Sequence, residues 1–286
     1  MATADSARRQ MKRDVGDYWY STLTSNGDAN GHSIKDSKLL DERPNEFLKE
    51  RSFLLLPSGV TGSGSDEERR IQMLSHQTGE LLVFRAFSAQ VDSAQPYEVH
   101  RFYSGADCDD MITEALTLLN SGILFKKEVK EITTVTDQLH YDISSHSWIN
   151  NWPRQVHLVS SSETEDSLEL LDWEVTYKES DTKPYLKLRS EISGSKTLRL
   201  FGHVPMAVTD LSDGEELIVA ARAGMLWCQR GAADFPAFRE EFERRFGIAS
   251  GHYNERLMKF APVGYPATQR FSGFRNPQYD ISWYRT

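Results

Sequence analysis

The feature that most constrains the fold is the regular alternation of apolar and polar residues between residues 129 and 204. It is clearest in three segments, LLDWEVTY at 170–177, YLKLRSEI at 185–192 and TLRLFGHV at 197–204. Side chains of a strand point alternately to its two faces, so each segment has one apolar and one polar face. The pattern predicts antiparallel sheets that pack over a core and turn their polar faces to solvent.

Helix signals lie on both sides of this region. The segment ADCDDMITEALTLLNSG has apolar residues at helical spacing, with Asp107 as the predicted N-cap and Gly122 as the stop. Ser212 and Glu215 have the spacing of a capping box. Further predicted helices cover residues 66–75, 213–229 and 235–246. The fold class is therefore α+β, an antiparallel β-sandwich core with flanking helices and a projecting N-terminal helical arm.

Two more segments are typical of strands. Residues 80–89 and 96–103 are separated by a polar turn, which predicts a β-hairpin. The aromatic stripe of Phe235, Phe238 and Phe242 is interpreted as core packing, because apolar residues on one side of a helix face the interior.

The N-terminal segment SARRQMKRDVGDYWYSTLTS carries three adjacent aromatic residues in a basic and polar context. Met11, Val15 and either Tyr18 or Trp19 have helical spacing, which gives a narrow apolar stripe suited to docking on another subunit. We expect inter-subunit contacts at Met11, Val15, Tyr18, Trp19 and Tyr20.

The composition after this segment changes to turn-forming and charged residues. We therefore predict a helical arm at 1–25, a linker or surface connection at 26–50, and a single β-rich globular domain at 51–286.

One stretch is suggestive of an enzyme. His140 and Asp142 share a strand face in DQLHYDISSHSW, and His203 would complete the two-histidine, one-carboxylate site of a non-haem iron enzyme. The opposite face carries Leu139 and Ile143, however, which favours an exposed or hydrogen-bonded pair. A soluble cytoplasmic small-molecule enzyme of unknown reaction and a ligand-binding module both remain open as alternatives.

Charge and cysteine content limit the functions and partners that the protein can have. A formal net charge of −9 argues against nucleic acid as the main partner, since phosphate binding needs a basic surface. No apolar run is long enough to span a bilayer or to act as a secretory signal, so we expect no membrane and a cytoplasmic location. Cys108 and Cys228 match no metal-ligand spacing and are expected to be buried thiols.

The order of several segments, and the residue pattern within each, resemble those of the polyhedrins of cypoviruses. They are the polar N-terminal segment, ELLVFRAF with YEVHRFYSG running into DDMITEALTLLNSG, then DWEVT, YLKLRSEISGSKTLRLFGHVP, GEELIVAARAGMLWCQRG and the aromatic tail APVGYPATQ with PQYDIS. The likeness covers most of residues 1–25 and 78–286, and this chain has extra length between 26 and 77.

The resemblance implies a β-sandwich trimer whose N-terminal helix locks neighbouring trimers into a crystalline lattice. Such lattices are occlusion bodies, which embed virus particles in the cytoplasm of the infected cell and dissolve at alkaline pH. The partners implied are further copies of the chain and virus particles. No catalytic residue, metal site or required cofactor is implied. Nucleotide is held in the crystals of some members, but no nucleotide-binding residue carries over to this sequence.

High pH would act on such a lattice through charge. Ionising all eleven tyrosines adds eleven negative charges to the formal charge of −9, and lysines lose positive charge in the same range. Repulsion then favours disassembly. We expect contact tyrosines, Tyr18 and Tyr20 among them, to contribute, and we expect deletion of residues 1–24 to abolish crystals while leaving a folded trimer.

Overall fold

The computed structural model describes residues 3–44, 51–57, 67–120, 123–148, 153–159, 169–178 and 181–260. Within these ranges all strand pairs are antiparallel, and together with four α-helices they confirm the α+β class. The aromatic tail, residues 261–286, lies outside the described residues. None of the helices in the described ranges is long and apolar enough to cross a membrane.

The chain forms two compact units, which differ from the predicted division. One comprises Met1–Leu118 and Ala207–Ala261, and the other contains Leu119–Met206. The predicted linker at 26–50 contributes to the first unit, because it includes a strand and places Ile34 and Leu39 in the core, both 0% exposed. It is therefore not a linker over the residues that the structure describes.

A curled six-stranded sheet forms one half of the first unit. Its strands are β1 (Tyr20–Thr22), β2 (Ser33–Lys35), β3 (Arg51–Leu56), β4 (Glu67–Ser75), β5 (Glu80–Val83) and β6 (Pro96–Arg101), in the spatial order β1-β6-β3-β4-β5-β2. A bridge between Ser25 and Lys35 brings the two outer strands together. The curl encloses an apolar core that includes Leu54, Leu81 and Val99.

Two sequence predictions are wrong here. Residues 66–75 were expected to be helical, but Glu67–Ser75 is strand β4, which pairs with β3 and β5. Pairing on both sides overrides the helix propensity of its charged residues. The predicted hairpin of 80–89 and 96–103 does not form either, since β5 pairs with β4 and β2 while β6 pairs with β3 and β1.

Four helices complete the first unit: α1 (Ala4–Asp14), α2 (Gly105–Asn120), α3 (Asp213–Asp234) and α4 (Arg239–Phe260). Helix α2 belongs to this unit as far as Leu118. The Ser212–Glu215 capping box of α3 is confirmed. At α2 the N-cap is Ser104, whose N–H and hydroxyl donate to the Asp107 carboxylate, so Asp107 closes a capping box instead of opening the helix.

The last helix is longer than predicted. The sequence suggested an end before Gly247, yet α4 continues to Phe260 because its packing on α3 outweighs the glycine penalty. The two helices approach closely at Gly231, where a Cβ would lie 2.1 Å from the Phe242 ring. Phe102 contacts the aromatic stripe before and within α4, its ring lying 4.9 Å from that of Phe242. Phe242 is core as predicted, whereas Phe235 and Phe238 are only partly buried.

The second unit consists of two antiparallel sheets over one core, as the alternation predicts. Its strands are β7 (Lys126–Thr133), β8 (His140–Asp142), β9 (Gln155–Val159), β10 (Glu169–Leu170), β11 (Trp173–Lys178), β12 (Asp181–Leu188) and β13 (Thr197–Val204), in the orders β10-β9-β13-β7 and β11-β12-β8. Tyr141, Leu186 and Leu200 come from different strands of both sheets and share one core cluster.

Candidate functional site

The N-terminal helix does not project from the chain, so the predicted free arm is wrong. Helix α1 begins at a capping box of Thr3 and Ser6 and buries its apolar stripe in its own unit. Met11 is 0% and Val15 3% exposed. A Cβ at Gly224 of α3 would lie 3.1 Å from Val15 Cγ1, which shows how closely the helices pack. These two side chains are core residues and are not available to a neighbouring subunit.

A buried arginine fixes the helix to the sheet. Arg8 is 2% exposed, and its guanidinium donates to three carboxylates: Nε to Glu98 at 3.0 Å, Nη1 to Asp109 at 2.8 Å and Nη2 to Asp5 at 2.6 Å. Burial alone would lower the pKa of Arg8, but the charges of Glu98 and Asp109 outweigh it and raise the pKa. Arg8 therefore joins α1, β6 and α2 as a permanent cation.

Glu98 of β6 is the centre of this network. It is 3% exposed, accepts hydrogen bonds from Arg8 and Arg9, and lies 3.4 Å from His100 Nε2. Burial would raise the pKa of the Glu98 carboxyl, but His100 and Arg8 outweigh it and lower the pKa to about 2. Burial lowers the pKa of His100, so the imidazole is neutral at physiological pH.

A second buried pair lies one turn further along α1. Lys12 Nζ donates to Asp17 Oδ2 at 2.9 Å, and both side chains are 2% exposed. The ammonium lies 5.2 Å from the centroid of the Trp227 ring. Burial would lower the pKa of Lys12, but Asp17 outweighs it and the pKa is raised. Burial raises the pKa of the neighbouring Cys108 thiol to about 11, so this thiol is protonated at neutral pH.

The end of α1 is held by helix α4. Arg245 Nη1 donates to the Val15 carbonyl oxygen at 2.7 Å. Arg256 pairs with Asp14 and donates to the Leu217 carbonyl oxygen at 3.0 Å. Helix α1 is thus attached to the rest of the first unit at Arg8 and at its C-terminal end by charged hydrogen bonds, which are stronger than neutral ones.

The three aromatic residues after α1 divide between core and surface. Trp19 packs against the core of the curled sheet. Tyr18 and Tyr20 are partly exposed and stack on one another, with ring centroids 6.3 Å apart. Arg13 lies 4.6 Å from the Tyr18 ring and Arg9 4.4 Å from the Tyr20 ring. We call Arg9, Arg13, Tyr18 and Tyr20 the ring patch.

The residues of the iron alternative are not brought together. His140 and Asp142 lie on β8, which pairs with β12, whereas His203 lies on β13 of the other sheet. His203 stacks on Phe125 with ring centroids 3.7 Å apart. Across the described ranges no group of three histidine, cysteine or acidic side chains is arranged to hold a metal ion. The three residues therefore do not form the expected site.

The charged network of Arg8, Glu98 and Lys12 has almost no signal in the sequence. Arg8 and Lys12 share the helix face of Met11 and Val15, so the only signal was a stripe that mixes long cations with apolar residues. Both cysteines are free and buried, as predicted.

Two comparisons with known proteins found no relative of this chain. No protein-family model matches the chain, and a search of curated proteins finds no match.

Proposed function

We propose that this chain is a structural protein that associates with copies of itself, and that the ring patch is one of its contact surfaces. The observation that carries the proposal is that two partly exposed tyrosines, each covered by an arginine, sit on a segment anchored by buried ion pairs. Tyrosine and arginine are enriched among the residues that dominate binding energy at protein interfaces. A rigid patch also loses little conformational freedom on binding.

The assembly proposed is the one that the resemblance to cypovirus polyhedrins implies. Trimers would build a crystalline lattice, an occlusion body that encloses virus particles in the cytoplasm of the infected cell. No metal or required cofactor has a role in this function, although nucleotide is a candidate component of the lattice. No observation on the described residues favours the enzyme alternative.

Dissolution of the lattice at alkaline pH is part of the proposal. The buried tyrosines indicate which phenol groups contribute to it. Burial raises the pKa of Tyr97, which also donates to Asp36, and the pKa of Tyr103, which donates to Asp234. These two phenols therefore lose their protons less readily than exposed tyrosines do. The switch therefore depends on exposed tyrosines and on lysines, whose loss of charge with rising pH increases the net negative charge.

The test is expression of the chain in insect cells, with intracellular crystals counted by electron microscopy. Wild type is expected to form micron-sized crystals, and the double variant Tyr18→Ala, Tyr20→Ala is expected to form none while its unfolding midpoint stays unchanged. Tyr177→Ala is the matched control, because Tyr177 is 56% exposed on β11 and lies outside the ring patch. Crystals of the double variant at wild-type frequency would contradict the role of the patch.

Deletion of residues 1–24 would not test an inter-subunit contact. It would remove Arg8 and Arg9, which both donate to the buried Glu98, and it would uncover the α3 surface at Gly224. We now expect that truncation to unfold the first unit, so loss of crystals would not report on a contact.

A further inference from the structure

The outer face of the curled sheet carries exposed apolar side chains on β4 and β5. Strand β5 turns Leu81 and Val83 into the core, at 0% and 2% exposed, so Leu82 and the next residue, Phe84, face outwards. Met73 lies opposite Leu82 on β4 and faces outwards as well. Phe84 is 58% and Met73 51% exposed. Three neighbouring large apolar side chains therefore share one open surface, which is typical of an interaction site.

An arginine lies beside these apolar residues. Arg70 is exposed on β4, and its carbonyl oxygen accepts a hydrogen bond from the Phe84 N–H at 3.0 Å. Its guanidinium lies 5.8 Å from the centroid of the Phe84 ring, and no carboxylate among the described residues forms an ion pair with it. We call Arg70, Met73, Leu82 and Phe84 the outer patch. Aromatic residues, methionine and arginine are the types enriched at protein interfaces.

The opposite charge lies at the other end of β5. Side chains at every second position of a strand share a face, so Glu80 lies on the same face as Leu82 and Phe84. Lys35 Nζ lies 4.0 Å from Glu80 Oε1, and the two side chains are 40% and 32% exposed. Such an exposed pair is weak, so the carboxylate can also accept a second cation. Along β5 the face therefore changes from a carboxylate, through apolar residues, to an arginine.

We propose that the outer patch packs face to face with the outer patch of a second copy. The two-fold axis lies between the two sheets, perpendicular to the strands and over Leu82. In this arrangement Leu82 and Met73 each lie opposite their own copies. Glu80 of each chain lies over the Phe84 end of the other, within reach of its Arg70. Sheets that pack in this way keep their strands within about 30° of one another.

The charges favour this alignment over the other face-to-face arrangement. A two-fold axis parallel to the strands would place Glu80 opposite Glu80 and Arg70 opposite Arg70. Like charges across an interface disfavour the wrong arrangement. With the axis over Leu82, opposite charges meet twice by symmetry, on either side of the apolar contact. A second copy is therefore the occupant that supplies both an apolar surface and the carboxylate that Arg70 lacks in its own chain.

This inference rests on the proposed self-association and deepens it by naming a second contact surface. A two-fold contact alone closes at a dimer, so a lattice needs a further surface. The ring patch can supply it, because the ring patch and the outer patch share no residue and one copy can use both at once.

The test uses the single variants Arg70→Glu and Glu80→Arg of the full chain, with association of the soluble protein measured by sedimentation velocity over a range of concentrations. The two-fold contact doubles the mass of whichever species the other contacts form. Each single variant places like charges opposite one another, so we expect the dissociation constant of this doubling to rise at least about tenfold. Phe84→Ala should weaken the doubling as well, because it removes an exposed ring from the contact.

Mixing the two charge variants restores complementarity, because one chain then carries two glutamates and the other two arginines at these positions. We expect the mixture, and also the double variant Arg70→Glu, Glu80→Arg, to associate like wild type. Arg230→Glu is the control, since Arg230 is 44% exposed on α3, pairs with Glu114 and lies outside the outer patch. Recovery on mixing also shows that both single variants are folded.

The outcomes separate this interface from the proposed function. Single variants that associate as strongly as wild type would overturn the outer-patch interface and leave self-association standing. Wild type that remains monomeric at every concentration would overturn self-association itself. Loss of the doubling in both single variants without recovery on mixing would contradict the alignment over Leu82.

Discussion

Replacing Arg8 by methionine tests the buried network most sharply. Methionine keeps an unbranched apolar side chain about as long as the aliphatic stem of arginine, but it removes the cation shared by Glu98, Asp109 and Asp5. Removing one partner of a buried ion pair costs about 3–5 kcal/mol. The lowering of the Glu98 pKa to about 2, to which His100 and Arg8 both contribute against burial, has the same direction as this cost. The cost is a large part of the roughly 5–15 kcal/mol that stabilises a domain.

The effect has a defined pH dependence. Because the folded-state pKa of Glu98 is lowered, its contribution is present above pH 4.5 and is lost as pH falls towards 2. Arg8→Met removes one cause of the lowering, so the variant should lose less stability than wild type across the same acid range. The difference between the two proteins should therefore be largest near neutral pH.

The assay is urea unfolding of the full chain, followed by tryptophan fluorescence and circular dichroism at several pH values. Arg239→Met is the matched control, because Arg239 and Glu243 form an ion pair in which both side chains are more than half exposed. Such a pair contributes only about 0.3–0.5 kcal/mol. If Arg8→Met and Arg239→Met shift the midpoint equally, the network does not anchor the helix. Adding Glu98→Gln to Arg8→Met should recover part of the loss.

Two further perturbations follow from burial and close packing. Burial raises the pKa of Cys108 to about 11 and of Cys228 to about 12. The free energy of unfolding should therefore fall as pH rises from 9 towards 11, because the unfolded chain loses these thiol protons first. Cys108→Ala should reduce the slope of the unfolding free energy against pH by about 1.4 kcal/mol per pH unit. An unchanged slope in urea titrations would contradict the burial argument. Gly231→Ala should cost about 1–3 kcal/mol in thermal unfolding because its Cβ would meet the Phe242 ring, whereas Gly247→Ala, with open space around it, should be neutral or stabilising.

Local signals predicted much of the fold. The capping box at Ser212 and the alternation in β11, β12 and β13 lie within the elements themselves and need no distant residue. These elements were therefore predicted close to their observed positions. Strand β4 was predicted as a helix because its charged residues favour a helix locally, and only pairing with β3 and β5 makes it a strand. The same long-range pairing separates β5 from β6, which their spacing in the sequence had joined as a hairpin.

The candidate site was less accessible to sequence reasoning. Arg8 lies 90 residues from Glu98 and 101 from Asp109, so no local pattern reveals that its charge is buried and paired. The apolar stripe of α1 was interpreted as a docking surface for another subunit, whereas the burial of Met11 and Val15 in their own unit depends on the small residue Gly224 in α3. The inter-subunit contacts expected at Tyr18 and Tyr20 stay a prediction.

The most direct test of self-assembly is powder X-ray diffraction from intact insect cells that express the chain. Sharp reflections at neutral pH that disappear on transfer to strongly alkaline buffer are the predicted result. A diffuse pattern from cells that contain abundant folded and soluble protein would contradict the proposal that this chain builds a lattice.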